Sequence, residues 1–527
     1  MMTTKTLMTS NTFSQHSQEI TKRFLLTAFV IDDQLTLDSH VHGNLQKPSR
    51  ETSSQKQKTS SRETSLRTLD VNRITRSFAR QGIICGTVSP QDRQSDNENL
   101  IKTATRADIL ILDWQLNTQT NENVLPFLQK ILNNHLKNQL RLIAIYTGET
   151  DPESILNEIR DVFSIEDNHI DLSKKEQYMV DLGAHRIVVY LKAGTASPDQ
   201  SRIVDEQGLV DHLIVDFAKK IEGLMSGLAL TALTVVRENV YRILELYGSD
   251  LDPAFLAHRA CLPQPQDSEQ HIIEQISSEL YGIMNDVISD QPSPAGIEAI
   301  KSWCDGRFED GIIRFNDQLK RPIDQVLKIL EYGIDHQKSP VNRKKYHLLS
   351  HGFSRDINQN NKLDLRLASL MCFRQVFTKS PRQLTMGTVI QSIKENEFLL
   401  CITPKCDTVR LENLTPFLFL HLQSETKRGI FKIVVPATEN KFQLMTISMY
   451  PTDWRIIKFE PQSDSKYVTS ELIDKIYFFK DLDEKEYQWI GELKPEFAQS
   501  IAHSIGQAMS RVPINKSEWL RREEKNR

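Results

Sequence analysis

LILDWQL, Leu110 to Leu116, carries an unbroken apolar run, Ile109 to Leu112, straight into a carboxylate at Asp113. Three further runs end on polar residues in the same way. Leu25 to Ile31 stops at the pair Asp32-Asp33 (AFVIDDQ, Ala28 to Gln34), Leu142 to Tyr146 at Thr147 (IAIYTGE, Ile143 to Glu149), and Ile187 to Leu191 at Lys192 (VVYLKAG, Val188 to Gly194). Short runs rich in Ile, Val and Leu fit strands buried on both faces of a parallel sheet. Residues just past the carboxyl ends of such strands converge on one crevice. The sequence therefore predicts a doubly wound α/β fold in which three carboxylates, a hydroxyl and an ammonium share a pocket.

Crowded carboxylates repel unless a cation sits among them, and a hard, oxygen-seeking ion such as Mg2+ suits that company. Asp113 then becomes a nucleophile for phosphorus, giving an acyl phosphate. The metal, Lys192 and Thr147 would hold the three oxygens of the transferred group.

In order and strand context the four segments resemble the receiver domains of two-component response regulators. The resemblance implies a five-stranded, flavodoxin-like parallel sheet, with GIICGTV (Gly82 to Val88) as its second strand. It implies Asp113 as phosphoacceptor, Thr147 and Lys192 as its catalytic partners, and Mg2+ held by Asp32, Asp33, Asp113 and the backbone carbonyl of Gln115. A sensor histidine kinase is the implied partner. Two positions depart from the family pattern: Ala193 follows the lysine where a proline is usual, and Val189 stands where an aromatic switch residue is usual, with Tyr190 one place later.

At 527 residues the chain exceeds one core, and about one domain per 150 residues predicts three or so. We read 1–22 as a flexible N-terminus and 23–225 as the receiver, with a disordered insertion at 38–66. An all-helical region follows over 226–380, and 381–527 is a strand-rich domain closed by a C-terminal helix. The insertion contains SRETSSQKQKTSSRETS, Ser49 to Ser65, too polar to bury a core. The first receiver helix is expected over Leu69 to Arg80, with Val71, Ile74 and Phe78 facing the sheet. From Asp205 a helical stripe, Val210, Leu213, Phe217, Ile221, Leu224 and Leu228, runs as one long helix or as two broken near Gly223 or Gly227. It either forms a homodimer seam or packs on its own domain.

Seven strands are expected after Gly387, and a closing helix from Pro495 to about Met509 with Phe497, Ile501 and Ile505 on one face. Leu224 to Val236 is apolar but too short to span a bilayer, which takes about 20 residues, so it reads as a buried helix. No secretory signal is recognisable. Six scattered cysteines argue against a disulfide framework and for a reducing cytoplasm. A net charge of −4 gives no global reason to expect nucleic acid or a membrane surface as partner.

ITPKCD (Ile402 to Asp407) and EWLRR (Glu518 to Arg522) resemble strings found in a variant response-receiver subgroup of bacterial conflict operons. That resemblance implies Detocs-type, two-component-like phage defence with a separate effector. Three functions stay open at this point. The chain is a phosphorylated switch or phosphate sink without further enzymatic activity, a receiver-controlled transcription regulator, or an effector enzyme built on Cys406 and Asp407. Zinc at Cys401, Cys406 and Asp407 lacks a fourth ligand. His258, His271, His336, His347 and His351 carry no relay signature.

Overall fold

The structure, a computed structural model, describes residues 13–36, 68–90, 94–117, 122–132, 140–164, 178–197, 199–262, 264–289, 292–316, 318–333, 348–354, 359–424, 431–436, 441–448, 450–462 and 466–510. The insertion at 38–66, His336, His347 and the EWLRR string lie outside these. The chain divides into two compact units, Met1–Ile312 with Pro322–Ser339 and Ile313–Arg321 with Pro340–Arg527.

The apolar runs of the first unit form the expected strands: β1 (Thr27–Ile31), β2 (Ile84–Val88), β3 (Ile109–Leu112), β4 (Arg141–Thr147) and β5 (His185–Lys192). They are all parallel, in the order β2-β1-β3-β4-β5. Two short strands share the outer side of β5: Met179–Leu182, antiparallel to its start, and Ile203–Val204, parallel to its end.

Both faces of the sheet are covered, which is why β3, β4 and β5 carry no polar alternation. On one face Ile74 and Phe78 of α2 (Val71–Arg80) and Leu213 and Phe217 of α6 (Leu209–Lys220) pack on Ala28, Val30, Tyr146 and Tyr190. On the other, Leu100 of α3 (Gln94–Ala104), Leu128 of α4 (Leu125–Leu132) and Ile155 and Ile159 of α5 (Pro152–Ser164) pack on Phe29, Leu110, Ile143 and Val189. Asp70 caps α2 by accepting the N–H groups of Asn72 and Arg73. A parallel pair, Leu35–Thr36 with Leu69–Asp70, brackets the insertion.

Phe13–Phe24 is a helix, α1, where the sequence reading expected a flexible lead-in. Its Ile20 is buried in the core beneath the sheet, and apolar burial of this kind overrides the polar composition of the segment. The helical stripe after Asp205 breaks at Ile221–Gly223 into α6 and α7 (Leu224–Leu246). The α6 half packs on its own domain. In α7 Leu230, Val235 and Ile243 are buried while Met225, Leu233 and Leu244 face solvent, so Leu224 to Val236 is half-buried rather than enclosed. The helices α8 (Asp252–Cys261), α9 (Asp267–Ser289), Ile297–Asp305 and Ile323–Tyr332 follow. A short ribbon, Ile312–Arg314 with Lys320–Pro322, interrupts the helical region.

In the second unit all seven expected strands are present, together with Glu471–Ile473 and Glu486–Glu492, in one antiparallel sheet. The closing helix, Pro495–Ser510, buries Ala498, Ile501 and Ile505 against Val389, Leu400 and Val435, whereas Phe497 is exposed. No helix among the described residues is long and apolar enough to cross a membrane.

Candidate functional site

Each predicted site residue sits where a β-ladder runs out. The Asp32 N–H donates to Val88 O at 3.3 Å and the Asp113 N–H to Ile31 O at 3.1 Å, one step beyond β1 and β3. Thr147 and Lys192 are the last residues of β4 and β5, and Leu191, not Lys192, is opposite Thr147. The parallel register thus delivers all five side chains to the same edge.

There they meet. Ligand oxygens of Asp32, Asp33 and Asp113 lie within 4.8 Å of one another. Lys192 Nζ is 2.7 Å from Asp32 Oδ2 and 2.6 Å from Asp113 Oδ2, with the lysine only 3% exposed. Asp33, Gln34, Asp113, Gln115, Thr147, Gly148 and Glu149 line a cavity above them. Burial pushes the Asp32 carboxyl up to about 6 against the pull of Lys192, with the Asp113 charge adding to the rise. Burial by itself would lower the Lys192 ammonium, but Asp113 and Asp32 outweigh it and hold its pKa above the usual lysine value.

The donor set fits a hard divalent cation. Every carboxylate contributes oxygen, and three carboxylates against one ammonium leave two negative charges in a buried place. Gln34 Oε1, on the cavity wall, is buried with no hydrogen-bond partner among the described residues. An acceptor oxygen so placed is the kind of group that a cation or its water satisfies. Among the described residues this is the one cluster of three or more His, Cys, Asp or Glu side chains close enough to share an ion.

Sequence reasoning missed Gln34 and Glu149. Gln115 Nε2 donates to Glu149 Oε1 at 2.9 Å across the cavity mouth, and the Glu149 N–H donates to Thr147 Oγ1 at 3.3 Å. Their only signal is adjacency: Gln34 follows the acid pair and Glu149 stands two places after Thr147.

Both family departures have structural counterparts. Lys192-Ala193-Gly194-Thr195 closes a turn, with the Thr195 N–H donating to Lys192 O and Gly194 at φ +86°; glycine supplies the turn without a proline. Tyr190 sits in the cluster with Tyr146, whereas Val189 shares the opposite face with Ile145. Side chains alternate along a strand, so Thr147 projects to the Val189 face and Tyr190 away from it. The Tyr190 hydroxyl instead donates to buried Asp216 in a short hydrogen bond, under the guanidinium of Arg202, which lies 5.2 Å from its ring.

Residues 24–197 match the family model of the response receiver domain. This part of the chain is a receiver domain. No curated protein and no solved structure matches the chain. The receiver carries its acid cluster at the carboxyl edge of its parallel sheet. Outside it, Cys401 is buried in the second unit's core while Cys406 and Asp407 are exposed on the turn Lys405–Asp407, so the three do not form a metal site.

Proposed function

We propose that the chain accepts a phosphoryl group on Asp113 from a partner sensor histidine kinase and acts as a switch or phosphate sink. The observation that carries this reading is the double ion pair of Lys192, which fixes an ammonium between Asp32 and Asp113 beside a cavity bordered by Thr147. Asp32, Asp33, Asp113 and the Gln115 carbonyl would hold Mg2+, which supplies charge neutralisation for the transferred group.

The chain's own groups do the rest. A carboxylate oxygen of Asp113 attacks phosphorus as the bond from phosphorus to the donor imidazole breaks, and the electron pair leaves with that imidazole, which takes a proton. Lys192, already bonded to the attacking carboxylate, is within reach of the new phosphoryl oxygens, and the Thr147 hydroxyl on the cavity wall can donate to another. Dephosphorylation by water returns Asp113, so no enzymatic activity beyond self-phosphorylation and its reversal is required.

The resemblance of ITPKCD and EWLRR to the conflict-operon subgroup supports a place in cytoplasmic anti-phage defence with a separate effector protein. Neither a nucleic acid nor a membrane is needed as partner. The test is phosphotransfer from a kinase encoded beside this gene. Wild type should take up label that is released by base, as from an acyl phosphate, and Asp113→Asn should take up none. Undiminished labelling of Asp113→Asn overturns the assignment.

A further inference from the structure

Away from the receiver cavity, α8 and α9 form a hairpin whose facing turns bring two exposed imidazoles together. His258 Nε2 and His271 Nδ1 are 3.3 Å apart, with ring centroids at 5.5 Å and planes inclined by 46°. The same turns are tied by Arg259, whose Nη1 donates to Ser268 Oγ at 3.1 Å and pairs with Glu269 at 3.4 Å. The approach of the histidines is thus held by contacts between residues that lie between the two in sequence.

The separation is informative. Hydrogen bonds from N–H groups to oxygen are usually about 2.7–3.2 Å, so 3.3 Å is long for a direct bond. Two imidazole nitrogens, each about 2.0–2.1 Å from one zinc ion at the tetrahedral angle, lie about 3.3–3.4 Å apart. Octahedral neighbours at a right angle would approach to about 2.8–3.0 Å at the same bond length. Imidazole is also the ligand type that borderline ions such as Zn2+ take and that Mg2+ does not.

We propose that His258 and His271 form a two-imidazole site for a tetrahedral, borderline-soft divalent cation of the Zn2+ class. Solvent completes its coordination, and the ion pins the α8–α9 hairpin. The site is chemically distinct from the all-oxygen receiver cluster and does not depend on phosphotransfer.

Full-length protein stripped with a chelator would be titrated with Zn2+ by calorimetry, in excess Mg2+ to occupy the carboxylate cluster. One equivalent should bind to wild type and to Asp113→Asn, and affinity should fall by about tenfold or more in His258→Ala and in His271→Ala. Hydrogen exchange across α8 and α9 should slow with Zn2+ in wild type and in Asp113→Asn but not in the histidine variants. Both histidines are at the surface, so circular dichroism should show the variants folded. Single-histidine variants that bind Zn2+ as wild type does, or a wild type that binds no more than a protein carrying both His258→Ala and His271→Ala, overturn the proposal.

Discussion

Replacing Lys192 with glutamine removes the cation from a buried group of three carboxylates. In the wild-type protein Nζ makes two contacts of 2.7 and 2.6 Å, and both carboxylate partners are buried. Two opposite charges about 4 Å apart attract by about 4 kcal/mol at an effective dielectric constant of about 20, but desolvation offsets much of that. Removing one member of a buried ion pair costs about 3–5 kcal/mol, because the charge left behind is uncompensated. We expect Lys192→Gln to lose that much stability in the receiver without divalent ions. The cluster would then carry three negative charges instead of two, so Mg2+ should stabilise the variant more than wild type, by the ratio of its affinities. Hydrogen exchange of the β3 and β5 amides, with and without Mg2+, reads both effects. A loss below about 1 kcal/mol, or an equal Mg2+ gain in both proteins, would refute the reasoning.

Tyr190→Phe removes a hydroxyl that donates to buried Asp216, a hydrogen bond to a charged group worth about 1.5–3 kcal/mol. Melting should shift accordingly while kinase labelling of Asp113 persists, since Tyr190 lies on the face away from Thr147; loss of labelling would show that the ring takes part in the chemistry. His185, at the start of β5, is held down to about 4 by burial and by the charges of Arg141 and Lys220. The unfolded chain binds its proton near 6.5, so stability is full above that pH and falls by roughly 3 kcal/mol as pH drops toward 4. His185→Gln should flatten that slope in acid unfolding curves, and an unchanged slope would assign the acid sensitivity to other groups.

The site was legible because parallel strands buried on both faces cannot hide their pattern: apolar runs stop where the crevice begins. Asp32, Asp33, Asp113, Thr147 and Lys192 all announced themselves in this way. The elements that escaped are those whose stability comes from contacts rather than pattern. Helix α1 reads as polar because only one side of it, at Ser17, Ile20 and Thr21, is buried. Met179–Leu182 is too short to declare itself and depends on pairing with β5 through a turn at Gly183, φ +56°. Glu486–Glu492 mixes charged and aromatic residues, yet lies between two strands in the middle of the C-terminal sheet. Asp108, with no apolar run before it, is fully buried at the opposite edge, accepting the N–H groups of Leu26 and Thr27 and pairing with Arg237 of α7.

The displaced aromatic carries a mechanistic consequence. A ring that answered a moving Thr147 would have to share its face of the sheet, and the position that does so on β5 is Val189, whose side chain is packed among Ile143, Ile145 and Ile187. Tyr190 is on the other face and is anchored to α6 through Asp216, itself paired with Arg202 and Lys219. The links from the acid cluster run toward that same face. Lys192, bonded to Asp113, is paired in the sheet with Val204; the Tyr146 hydroxyl donates to Val204 O at 2.8 Å; and α6 begins five residues later at Leu209. Adding a phosphoryl dianion to Asp113 changes the charge that Lys192 faces, and Lys192 belongs to this connected set, whereas Val189 offers only apolar packing. The face of the sheet covered by α6, not the one covered by α5, is therefore where the structure joins Asp113 to the helices that follow.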